Sequence, residues 1–120
     1  MGMDERAVTS GEVRVVGAEQ PDGLELRTRG LALRGLPELR AAGLPPYLGR
    51  GWARILAALA ARVAAAGGPP PGDVQLAPDV AFRLTADGDH LVPGPPAGFT
   101  GAVDQWRREV VVRLFPSARS

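Results

Sequence analysis

The segment Tyr47 to Ala66 lies between Pro45-Pro46 and Gly67-Gly68, and its apolar residues Leu48, Trp52, Ile55, Leu56, Leu59, Val63 and Ala66 recur at helical spacing. Proline loses nothing at a helix start, where its N–H would be unpaired, and glycine takes the left-handed backbone that ends a helix. The pattern predicts one amphipathic helix whose stripe must be buried against something the rest of the chain provides.

That something reads as β-structure. Glu12 to Val16 and Leu24 to Leu33 have strand character, with Gln20-Pro21-Asp22-Gly23 as the turn between them. In the second strand Leu24, Leu26 and Thr28 form the inward phase, and Glu25, Arg27 and Arg29 point outward. Beyond Gly30 the apolar phase moves to Leu31 and Leu33, as at a β-bulge or a strand break. Gly35-Leu36-Pro37 turns into a short strand from Glu38 to Ala41. After the helix, Val74 and Leu76 begin another extended segment, and Val80, Phe82 and Leu84 follow at period two. Asp87-Gly88 predicts a two-residue hairpin turn that sets Leu84 opposite Leu91.

The segment Thr100 to Phe115 fits two readings. A helix would have Thr100 as N-cap, Asp104 in the first turn, a stripe of Val103, Trp106, Val110 and Leu114, and Pro116 past its end. A strand would use Val110-Val111-Val112 but would turn Arg108 to the same side as Trp106 and Val110. The helix is the better fit. The expected fold is a small single α+β domain spanning 1–120. A mainly antiparallel sheet packs on one central amphipathic helix, with the C-terminal segment as a second helix beside it. Residues 1–10 are expected as a flexible start, and 67–72 and 93–98 as proline- and glycine-rich loops.

Composition limits the chemistry. The chain has no lysine, asparagine or cysteine, and its 14 basic side chains are all arginine. Those omissions, with abundant alanine, glycine and proline, point to a bacterial genome rich in G and C, so arginine content by itself implies no nucleic-acid partner. The net charge of +1 leaves no strong positive field for phosphate backbones or anionic lipid. Without cysteine there is no disulfide framework or thiolate metal site, which fits a cytoplasmic setting. Met1 to Arg6 lacks the basic flank and apolar run of a secretory signal, and no apolar stretch approaches the ~20 residues of a membrane span.

Candidate sites are few. On the predicted helix, Arg50, Arg54, Ala57, Ala58, Ala61 and Ala65 lie opposite the apolar stripe. That smooth alanine strip is either a contact surface or alanine written by codon bias wherever a helix former is tolerated. Tyr47 sits at the helix start beside two prolines, where an aromatic ring at a binding patch or at the edge of the core is expected. Arg27 and Arg29, with Arg34 and Arg40 extending the row, could grip a carboxylate or phosphate, or could pair with Glu25, Glu38 or Glu12 across the sheet. Gly49-Arg50-Gly51 could turn first-turn N–H groups toward an anion but lacks the phosphate-loop pattern. Asp87, Asp89 and His90 cluster without the ligand count of a zinc or calcium site, so neither a metal nor a cofactor is expected. His90 has no nearby nucleophile to activate. The leading expectation is therefore a non-catalytic protein-interaction subunit. It would bind another protein or itself through Tyr47, Arg50, Arg54, Ala57, Ala61 and Ala65. The alternative is a small-anion-binding protein or enzyme using Arg27, Arg29 and Arg34; nucleic-acid binding comes third, disfavoured by the charge balance.

Overall fold

Residues 13–115 of the chain are described by a computed structural model. The expected flexible start at 1–10, Glu12 and Pro116 lie outside them. The first strands are β1 (Arg14–Gln20), β2 (Gly23–Arg29) and β3 (Glu38–Leu44); helix α1 (Gly49–Ala66) follows. Then come β4 (Val74–Ala77), β5 (Val80–Asp87), β6 (His90–Gly94) and helix α2 (Val103–Leu114). The sheet order is β1-β2-β3-β6-β5-β4, antiparallel throughout except for the central β3–β6 pair, which is parallel. Both helices pack on one face of this α+β sheet, and among the described residues no element covers the other.

The central helix is the one the sequence predicts. A short 3-10 turn, Pro46–Leu48, leads into it, and Gly67 at φ 75 closes it. Gly67 N–H bonds to Ala64 O and Gly68 N–H to Val63 O, the double bond of a glycine-terminated helix. Trp52, Ile55, Leu56, Leu59, Ala60 and Val63 are fully buried. At roughly 1.5–3 kcal/mol for each large side chain, that face far outweighs the ~1 kcal/mol that each first-turn glycine costs. Ala66, expected in the stripe, is exposed, and Ala60 takes the inner position instead.

Several strand expectations need correction. β2 ends at Arg29, and Leu31–Arg34 is a 3-10 turn entered through Gly30 at φ 129, so the phase change is a strand break. Leu31 is buried, but Leu33 is 90% exposed and does not face inward. The bulge lies elsewhere. Leu24 pairs with Leu44 while Leu26 pairs with Ala41, which leaves an extra residue in β3 near Gly43, whose φ is 68. The β5–β6 loop is Gly88-Asp89, not Asp87-Gly88, so Leu91 opposes Ala86 and Leu84 opposes Pro93. Glycine there takes the first loop position at φ 64, and Asp87 and His90 close the ladder as a pair. Pro93 and Gly94 belong to β6 and not to the following loop. The proline is tolerated because pairing with β3 stops at Leu91, which leaves that side without a ladder bond to lose.

The C-terminal segment is a helix, but it starts at Val103 with Ala102 as its uncapped N-cap, not at Thr100. Val103 is 48% exposed, and the buried residues are Trp106, Val110 and Val111. Trp52, Phe82 and Trp106 meet edge to face with ring centroids 5.6–6.0 Å apart, joining α1, β5 and α2 in one core. Trp52 Nε1 donates to Arg107 O at 3.1 Å. The helices touch where α1 has no side chain: a Cβ on Gly51 would stand 2.6 Å from Val111 Cγ1 and 3.0 Å from its Cγ2. Gly51→Ala is therefore expected to destabilise the protein, although alanine is the better helix former by about 1 kcal/mol. Adding Val111→Ala should return part of the loss, a coupling of about 0.5–3 kcal/mol readable from denaturant midpoints. Strictly additive effects of the two substitutions would contradict this contact.

Candidate functional site

The outer face of α1 follows from the seating of its inner face. Arg50, Arg54, Ala57, Ala61 and Ala65 succeed one another by three or four residues and so share one side, and all five are exposed. The strip is ~22 Å long at 1.5 Å per residue. Tyr47 stands in the preceding 3-10 turn with 68% of its surface exposed, a position at the surface and not at the core edge. Arg54 is partly engaged, its guanidinium carbon 5.1 Å from the centroid of the Phe115 ring. At the other end, Ala65 and Ala66 wall a shallow groove of about 390 Å³ that Pro70 and Val74 close from the β4 side.

The uncovered sheet face carries the arginines. Arg27 Nη2 donates to Glu25 Oε2 at 2.9 Å, and Arg40 Nε donates to the same oxygen at 2.6 Å. Glu25 is thus covered by two arginine side chains and not by apolar core, and their hydrogen bonds, that of Arg40 foremost, hold its carboxyl below the usual carboxylate range. Arg29 is exposed on the same face, opposite Arg14 of β1, while Arg34 lies in the 3-10 turn beyond the strand. An anion approaching Arg27 would meet a guanidinium whose charge Glu25 already partly offsets.

Glu38, expected to pair with arginine, does something else. Its carboxylate accepts from Thr28 Oγ1 at 2.7 Å and from the N–H groups of Gly30, Leu31 and Ala32 at 3.1, 3.3 and 3.0 Å. Thr28 Oγ1 in turn accepts from Leu39 N–H at 2.8 Å. This clamp fixes the turn that presents Leu33, and nothing in the local residue pattern announced it. Arg107, half-buried in α2, donates through Nη1 to Gly43 O at 3.3 Å, and burial pushes its pKa down.

Gly49 and Gly51 are buried, Gly49 against Leu24 and Gly51 against Val111, so their absent side chains serve packing. Asp87 and His90 are ladder partners at the hairpin end. Among the described residues no three His, Asp or Glu side chains group as metal ligands, and no helix is long and apolar enough to cross a membrane. No protein-family model matches the chain, and neither a curated protein nor a solved structure matches it.

Glu25 makes stability depend on pH. Its folded pKa lies below the unfolded one, so its contribution is complete at neutral pH and disappears as the pH falls through the folded value. The pair is partly open to solvent, so the effect is modest. The stability gap between wild type and Glu25→Gln should be constant above about pH 6 and shrink below about pH 4 in denaturant titrations. A gap undiminished in acid would mean that the residue acts through packing and not through charge.

Proposed function

We propose that the protein is a non-catalytic interaction subunit, with the outer face of α1 as the surface on which another protein docks. One observation carries this reading: Ala57, Ala61 and Ala65 are exposed along a helix whose opposite side is locked in the core, and the strip runs into the groove beside Val74. Alanine loses no rotamer freedom when covered, and it lets the backbone of an incoming helix approach closely. Exposed length of ~22 Å corresponds to about four helical turns. Arg50, Arg54 and Tyr47 give one end of the strip polar and aromatic contacts, the residue types that anchor interfaces. The cysteine-free composition suits a reducing compartment such as the cytoplasm.

The test is Ala61→Glu, which puts a carboxylate at the middle of the strip without touching the core. Glutamate is a good helix former, so circular dichroism and thermal unfolding should be close to those of wild type. A partner captured by a photoreactive residue at position 57 should bind at least about a hundredfold more weakly, because a desolvated, unpaired carboxylate costs several kcal/mol. Thr85→Glu on the uncovered sheet face should leave capture intact. Full capture by folded Ala61→Glu protein would refute the docking role of the strip.

A further inference from the structure

The two edges of the sheet, β1 and β4, are built differently. β4 has 4 residues, with Pro69-Pro70-Pro71 shortly before it and Pro78 directly after, the short proline-bounded form that resists addition of another strand. β1 has 7 residues and no proline, and between Arg14 and Glu19 it carries only Val15, Val16, Gly17 and Ala18. Among the described residues only β2 pairs with it, so its outer edge presents a row of N–H and C=O groups.

A second feature begins on the same strand and continues across its neighbours. Two arginine pairs lie directly across strands on the uncovered face: Arg14 opposite Arg29, and Arg27 opposite Arg40. Like charges so placed repel. In the Arg27–Arg40 pair the repulsion is relieved by Glu25, whose Oε2 receives both guanidinium groups. The Arg14–Arg29 pair is exposed and has no such carboxylate among the described residues.

We propose that β1 accepts an extended acidic segment of another protein as a seventh strand, one of whose carboxylates lies against Arg14 and reaches toward Arg29, supplying the counter-charge that Glu25 supplies to Arg27 and Arg40. Edge and charge together select this occupant. Strand addition supplies the missing ladder partner, and alternation of side chains puts every second residue of the segment on the arginine face. A second copy of β1 fits less well. Antiparallel self-pairing over all 7 residues centres on Gly17 and sets Gln20 opposite Arg14, with Glu19 on the helix-bearing face opposite Val15. Inorganic phosphate could engage the two guanidinium groups but leaves the backbone edge unpaired. This surface is separate from the outer face of α1, so Ala61→Glu should not affect it, and the two readings stand or fall independently.

The full chain would be titrated with a synthetic peptide of about nine residues alternating glutamate and threonine, a length that spans the edge. The same titration would be run with the glutamine–threonine counterpart and with inorganic phosphate, each followed by amide shifts and hydrogen exchange. The glutamate peptide should slow exchange of β1 amides. It should bind about tenfold or more tightly than the glutamine peptide, and lose about tenfold with Arg14→Ser or Arg29→Ser, the scale of one charge-assisted contact. Equal affinity for the two peptides would overturn the role of the arginine pair. Phosphate binding as tight as the peptide's, with β1 exchange unchanged, would reduce the site to an anion patch. Concentration-dependent protection of β1 without peptide would assign the edge to a second copy, and no binding of the glutamate peptide would overturn the proposal.

Discussion

The seat of α1 is the constraint on which the molecule depends. Its first turn lies close to two neighbours at once, with Gly49 against Leu24 of β2 and Gly51 against Val111 of α2, and at neither place is there room for a Cβ without movement. The close approach lets Trp52 reach Phe82 and Trp106 and pass its indole N–H to the Arg107 carbonyl. Arg107 then carries the connection to Gly43, where β3 bulges. Helix, helix and sheet are thereby fixed relative to one another, and so is the direction in which the alanines face.

Two glutamates organise what the core does not. Glu38 collects Thr28 and three backbone N–H groups, so the chain leaving β2 turns back into β3 without unpaired donors. Glu25 offsets part of the charge of the two arginines that bond to it and so limits their mutual repulsion on the uncovered face. Both lie in the β2–β3 region, so this part of the sheet is held on one face by apolar packing and on the other by ionic and hydrogen-bonded contacts.

The α+β class, the central helix and the period-two segments were legible because each rests on a repeat within a short window. Trp52, Ile55 and Leu59 cannot all be buried by an extended chain, and Val80 and Phe82 cannot both face inward from a helix. What failed depended on partners distant in sequence. Gly30 marked a change of phase, but whether it became a bulge or a turn was decided by the Glu38 carboxylate eight residues on. The hairpin register slipped by one because Asp87-Gly88 and Gly88-Asp89 are both acceptable turn pairs, and the choice belongs to the ladder. Among the site residues, the exposure of Ala57, Ala61 and Ala65 followed from helical geometry alone. The engagement of Arg27 by Glu25 could be foreseen only as one of two options, and the meeting of Arg14 with Arg29 required the register of β1 on β2.

The single parallel joint in the sheet bears on how the chain folds. β1, β2, β3 and α1 are contiguous, as are β4, β5, β6 and α2, and within each group the strand pairs are antiparallel neighbours closed by short local connections. Glu38 and Leu39 meet His90 and Leu91 across a separation of ~50 residues, a contact of high order that closes late because its loop entropy must be overcome first. During synthesis the first group can assemble while Leu39 still lacks its neighbour. Until β6 arrives the future centre of the sheet is an open apolar edge, and exchange of the second group between two molecules would begin at that seam.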